Sequence, residues 1–190
     1  GEAHLSDAFI EVINIFRPDL VHLQHLLGLP VSMIDQLRWK NIPYVVTFHD
    51  YWWVCANAQL ITNYSHQLCP GPKAYLNCAH CALARVNRAY LWPLAPILAG
   101  PLAWRNHLLR KAVYHAAGLI APSEFVRNWY ADHNVPADKI QVIPHGLDSP
   151  STKPAATSTA GRPVRLAYIG GLTWQKGVHI LLEAFATLED

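Results

Sequence analysis

Gly170-Gly171 and Lys176-Gly177 flank a four-residue loop, and these residue types suit a diphosphate. Glycines let the backbone approach a phosphate closely, and a lysine adds a point charge. The apolar run 164–169 ahead of them reads as a strand. Behind them Val178, Leu181, Leu182, Phe185 and Leu188 recur with the period of a helix that buries one face. Strand, glycine turn and helix, with a lysine where the helix begins, would put free N–H groups and a positive dipole end beside an anion. The segment is not a nucleoside-triphosphatase loop. That motif needs Ser or Thr after its lysine to hold magnesium, and here Gly177 follows Lys176. A tight turn carrying a solvated lysine would share this spelling.

A second cluster lies earlier. All four cysteines, Cys55, Cys69, Cys78 and Cys81, fall in a segment with no clear period. Cys78 and Cys81 have the spacing of metal ligands, whereas Cys55 and Cys69 are too far apart to form a second close pair. Four thiolates would close a structural zinc site and explain how so long a loop stays ordered. Free buried thiols and disulfides are the other readings. His66 and His80 are alternative ligands.

The elements that must position these residues alternate. Residues 5–16 read as a helix with Ser6 as its cap and Phe9, Val12, Ile13 and Phe16 on one face, stopped by Pro18. Residues 20–24 form a short strand, and Pro30 opens a helix that runs to Trp39. Residues 44–48 are β-branched and aromatic, as in a buried strand. An irregular segment spans 49–81. Residues 102–116 form an amphipathic helix with Leu108, Leu109, Ala112, Val113 and Ala116 on its buried stripe. Strand 118–121, a helix capped by Ser123 and running through Tyr130, and strand 141–143 follow. This order predicts an α/β fold, an open, doubly wound parallel sheet with helices on both faces. Ligands in such sheets sit beyond the carboxyl ends of the strands. Those ends carry His25, His49-Asp50, Ser123-Glu124 and His145-Gly146.

Hydrophobic residues make up 52% of the 190 and charged residues 15%, which is enough apolar matter for a large core. A net charge of +2 gives no sign of a nucleic-acid partner. Residues 149–163, rich in Ser, Thr, Ala and Pro, have linker composition. They divide a domain over 1–148 from the start of another over 164–190. The chain reads as a fragment, entering almost directly into a helix and ending after one strand-helix unit. The longest uncharged run, residues 89–104, is broken by Pro93, Pro96, Gly100 and Pro101, so no membrane span is expected. Trp92 and Trp104 flank its apolar centre, and Arg105, Arg110 and Lys111 follow. Such flanks can mark an interfacial anchor over 90–111; a packed helix is the plainer reading.

Five segments in order, RPDLVHLQH, IPYVVTFHDYWWVC, AAGLIAPSEFVRNWY, KIQVIPHGLD and YIGGLTWQKGVHILLEAF, resemble the family 4 glycosyltransferases, retaining enzymes of the GT-B fold. They cover most of residues 17–190. The resemblance implies two Rossmann-like domains facing each other across a cleft. Residues 1–148 would be the later part of the acceptor-side domain and 164–190 the first unit of the nucleotide-sugar-binding domain. It places the family's glycine-rich loop before Gly1 and its glutamate pair after Asp190. Lys176 matches the family's diphosphate-binding lysine, with Gly170 and Gly177 as the flanking glycines. Gly171 stands where an arginine is common, so one cation of the usual pair is replaced. His49 matches the histidine that approaches the donor sugar and the reacting centre.

The resemblance implies sugar transfer from a nucleoside-diphosphate donor to a carbohydrate, lipid-linked or small-molecule acceptor, with retention. His49 and Lys176 would be catalytic, and Gly170, Gly171, Lys176 and Gly177 would bind the donor diphosphate. No cofactor is needed for such a step; zinc at the cysteines would be structural. The enzyme would be cytoplasmic, with peripheral contact at the inner face of the cytoplasmic membrane. That compartment disfavours disulfides. The fragment alone would be inactive. A nucleotide-sugar epimerase and a zinc-stapled, non-catalytic interaction module are the competing readings.

Overall fold

The computed structural model describes residues 2–146 and 165–188. The chain divides into two compact units, Gly1–Gly146 and Leu147–Asp190. The expected linker over 149–163 lies outside the described residues.

The first unit runs α1 (Glu2–Phe16), β1 (Val21–Leu23), α2 (Ser32–Trp39), β2 (Tyr44–Thr47), α3 (Leu76–Arg85), α4 (Ala95–His115), β3 (Gly118–Ala121), α5 (Glu124–Asp132) and β4 (Ile140–Val142). The strands form one parallel sheet in the order β1-β2-β3-β4. A parallel pair needs a long crossover, and the helices between strands supply it. The register pairs His22 with Val45 and Val46 with Leu119, so the strand tips finish along one edge. Leu37, Val46, Phe48, Leu109, Leu119 and Tyr130 are fully buried in a single core cluster. Truncating one of the leucines to alanine would cost about 2–5 kcal/mol.

Several sequence expectations shift. α1 begins at Glu2, so Ser6 is inside the helix rather than capping it, and its Oγ lies 3.1 Å from Ser32 Oγ. Of its expected stripe, Ile13 is buried and Phe9 packs on the core, but Val12 and Phe16 are exposed. The irregular segment ends at Tyr75, because α3 takes in both Cys78 and Cys81. α4 begins at Ala95, ahead of the expected start. Pro96 sits in its first turn, where a missing N–H costs nothing, and Pro101 is accommodated inside. Ser123 caps α5 as expected, its Oγ accepting from Val126 N–H at 3.3 Å.

In the second unit, α6 spans Val178–Ala186 after a 3₁₀ turn, Trp174–Lys176. Residues 165–169 are not a strand. A strand forms through hydrogen bonds to a neighbour, and no strand is described in this unit to supply them. The expected buried stripe is not buried either: Leu181, Leu182, Phe185 and Leu188 are all exposed.

Candidate active site

The carboxyl ends of β1 and β2 deliver four polar side chains to one place. Strand periodicity puts His22 and Gln24 on the same side of the chain leaving β1. His22 Nε2 lies 2.7 Å from the hydroxyl of Thr47, a buried residue at the end of β2. Gln24 Nε2 stands 3.0 and 3.1 Å from the two ring nitrogens of His22. Gln24 Oε1 accepts a short hydrogen bond from His49 Nε2–H. A polar chain Thr47–His22–Gln24–His49 therefore crosses from β2 to β1 and back. His49 itself is exposed. Its ring stacks parallel to that of His145, which follows β4, at 5.9 Å and 4°. With Nε2–H donated to Gln24, the neutral His49 ring keeps Nδ1 as an acceptor.

Beside it lies a second constellation. Leu27 N–H donates to His25 Nδ1 at 2.9 Å, which leaves the proton of the neutral ring on Nε2. That Nε2 lies 3.2 Å from Asp50 Oδ2. The other carboxylate oxygen, Oδ1, accepts from Trp52 N–H at 2.8 Å. The Asp50 carbonyl accepts from Tyr130 Oη at 2.6 Å. Burial, with the Asp50 carboxylate second, pushes the Tyr130 phenol far above its ordinary range, so it stays a donor. The His25 ring meets Trp52 at 5.1 Å, and the Arg105 guanidinium lies 4.6 Å over the same indole. Arg105 also donates to the Trp52 carbonyl at 2.8 Å, and Asn106 donates to the Val54 carbonyl at 2.7 Å. Two adjacent residues of α4 thus hold the backbone that leaves β2.

The family resemblance singles out His49, and the sequence places Asp50, His25 and His145 only at strand ends. Gln24, Thr47 and Tyr130 were missed. The spelling His22-Leu23-Gln24, two polar residues two apart across a buried leucine, is the signal that could have raised Gln24.

The glycine-lysine segment belongs to the second unit. Lys176 closes the 3₁₀ turn, and Gly177 takes φ +69° at the N-terminal cap of α6. That is a left-handed conformation that glycine adopts without cost. Lys176 therefore stands at the amino end of a helix, where unpaired N–H groups gather. Tyr168 Oη donates to the Gly171 carbonyl at 3.0 Å and closes over the Gly170-Gly171 turn. A Cβ on Gly170 would meet the Tyr168 hydroxyl oxygen at 2.8 Å.

The cysteines gather around one feature. Cys55, Cys69, Cys78 and Cys81 all line a cavity of about 60 Å³, which also takes in Asn63, Asn77 and Arg85. All four are free and half-buried. Neither His66 nor His80 lines that cavity; His80 stacks on Tyr64 at 4.2 Å. As the side chains stand, no three or more His, Cys, Asp or Glu among the described residues are placed to hold a metal ion.

The 90–111 region is helical, and much of it faces outward. Tyr90, Trp92, Ile97 and Trp104 are each more than 60% exposed. No Asp or Glu occurs between Asp50 and Glu124, a stretch that contains Lys73, Arg85, Arg88, Arg105, Arg110 and Lys111. No described helix is long and apolar enough to cross a membrane.

The model of Glycosyltransferase Family 4 matches residues 4–149. Among curated proteins and among solved structures nothing matches.

Proposed function

The chain belongs to glycosyltransferase family 4, and on that footing we propose that it moves a sugar from a nucleoside-diphosphate donor to a lipid-linked acceptor, with retention of configuration. The observation that carries this reading is the chain Thr47–His22–Gln24–His49, which presents a histidine at the carboxyl edge of a parallel sheet. In open α/β sheets that edge is where ligands bind.

In the proposed reaction the bond between the anomeric carbon and the diphosphate oxygen breaks. The acceptor hydroxyl forms the new bond on the same face and passes its proton to the departing diphosphate oxygen, and the nucleoside diphosphate leaves. Negative charge grows on the leaving group, so fixed positive groups aimed at it lower the barrier. Lys176 and the amino end of α6 supply that charge, with Gly170, Gly171 and Gly177 keeping the backbone close. His49, held through Nε2 by Gln24, offers Nδ1 to a hydroxyl of the donor sugar. No metal has a part in this step.

A lipid-linked acceptor is favoured over a free sugar by the outer surface of the first unit. Exposed Tyr90, Trp92, Ile97 and Trp104 lie within a sequence stretch that carries six cations and no acid. Aromatic and basic residues together suit the headgroup layer of an anionic membrane. The contact would be peripheral.

The test is a screen of nucleotide-sugars with protein expressed from its complete gene, scored for donor hydrolysis and for transfer to lipid extract, with the product anomer read by NMR. Transfer with retention supports the proposal. Conversion of a donor into its epimer, or no turnover of any donor by folded protein, overturns it.

A further inference from the structure

We propose that Cys55, Cys69, Cys78 and Cys81 close around a single zinc ion that staples the segment between β2 and α3. The inference stands independently of the transferase reading. Every cysteine in the chain lines the same cavity of about 60 Å³, although the four arrive from three separate stretches. Cys55 sits in a turn whose N–H donates to the Tyr51 carbonyl at 2.7 Å. Cys69 follows the antiparallel bridge Ile61–Leu68, and its N–H donates to the Leu60 carbonyl at 2.7 Å. Cys78 and Cys81 stand three apart on α3, on one helical face.

The lining fits a soft cation. It contains no carboxylate and no imidazole, only thiols, amides, the Thr62 hydroxyl, apolar groups and Arg85. Four sulfur donors select zinc or an iron–sulfur centre over magnesium, calcium or manganese. The lining also offers hydrogen-bond donors to sulfur. Asn63 N–H donates to Cys81 Sγ at 3.3 Å, and Asn77 Nδ2 donates to Cys69 Sγ at 3.5 Å. Such donors orient metal thiolates and hold their charge. On binding, four thiols release four protons to solvent and the tetrathiolate keeps a net charge near −2, which Arg85 partly offsets.

The side chains are not yet gathered at ligand geometry. All four line the one cavity, and a cysteine sulfur changes position when χ1 moves from one staggered well to another. A tetrahedral site needs each sulfur about 2.3 Å from the ion.

The segment also needs such a staple. Between Thr47 and Leu76 there is no helix and a single antiparallel bridge. Ala58, Leu60, His66, Ala74 and Tyr75 hold positive φ there without being glycine. Loops of this length without secondary structure need an external constraint or a function. Here the segment begins with His49 and Asp50, so the staple would fix the far end of the backbone that carries them. With four sulfurs the coordination sphere is closed, and the ion has no position left for a substrate.

The experiment uses the full chain purified without added metal. Elemental analysis should find about one zinc per chain. Alkylation of native protein should spare all four cysteines, and chelator should expose them, as counted by mass spectrometry. Cobalt-loaded protein should show the visible bands of tetrahedral thiolate coordination. Each Cys→Ser change should lower the zinc content; if a variant fails to fold, the native alkylation count still decides. Metal-free protein with four reactive thiols, two disulfides in the purified chain, or iron with labile sulfide in place of zinc would each overturn the proposal.

Discussion

The hydroxyl of Tyr130 on α5 donates a 2.6 Å hydrogen bond to the backbone carbonyl of Asp50, just beyond β2. Tyr130 is completely buried and its ring stacks on Phe48 at 3.8 Å. The core thus reaches out to fix the residue whose carboxylate meets His25. Tyr130→Phe removes the donor and keeps the ring, leaving the Asp50 carbonyl without this partner. Stability should fall by about 1–3 kcal/mol. In a chain of this size that lowers Tm by roughly 2–4 °C per kcal/mol. Chemical denaturation checks the value, and an unchanged midpoint would show that water replaces the hydroxyl without cost.

Lys176→Ala in the protein from its complete gene should lower kcat by roughly 10²-fold or more, the cost of removing one preorganised charge-stabilising group. Lys176→Arg should recover only part, since a planar fork does not replace a compact ammonium. Binding of free nucleoside diphosphate, measured by calorimetry, should weaken in the same order. Near wild-type kcat in Lys176→Ala would remove the diphosphate role.

His49→Ala should reduce turnover and leave melting unchanged, because His49 is exposed and supports little packing. Gln24→Ala should give a smaller loss with the same fold. It frees the His49 ring to rotate and change tautomer but leaves it in place. Melting and activity on the same samples separate the alternatives. A large fall in melting temperature with full activity per folded molecule would make His49 a structural histidine.

β2 could be read directly, because Tyr44-Val45-Val46-Thr47 is a run of residues that fits a buried strand. α5 was also readable, since its cap Ser123 announces it. α3 escaped for the opposite reason. Its cap position is Tyr75 in a left-handed conformation, with no side-chain cap, and its ten residues include two cysteines and a histidine. The early turns of α4 were hidden by Pro96, Gly100 and Pro101, which read as breakers until one sees that Pro96 lies in the first turn. Gln24 could not be placed without the β1–β2 register. Only the pairing of His22 with Val45 brings Thr47 and His49 to it. The roles given to His49 and Lys176 come from the family resemblance, since neither residue type nor spacing separates them from a satisfied histidine and a solvated lysine.

The first unit should bind vesicles, and the binding should depend on both charge and aromatic surface. Trp92 and Trp104 are exposed by 61% and 63%, unusual for so large an apolar side chain on a surface that meets only water. The nearest acids in sequence are Asp50 and Glu124, so the stretch between them repels no anionic headgroup. Each basic residue near such a surface contributes about 1 kcal/mol, an attraction that falls off within a Debye length. The full chain should therefore co-float with vesicles containing phosphatidylglycerol and not with pure phosphatidylcholine, and added salt should release it. Arg110→Glu with Lys111→Glu should abolish most of the binding. Trp92→Ser with Trp104→Ser should weaken it and make the remainder more sensitive to salt, because the apolar share is the part that salt does not screen. Both pairs lie outside the residues assigned to sugar transfer, so turnover of a water-soluble acceptor should survive. Equal flotation with both lipids, or none with either, would remove the membrane from the acceptor assignment and leave a free carbohydrate as the acceptor.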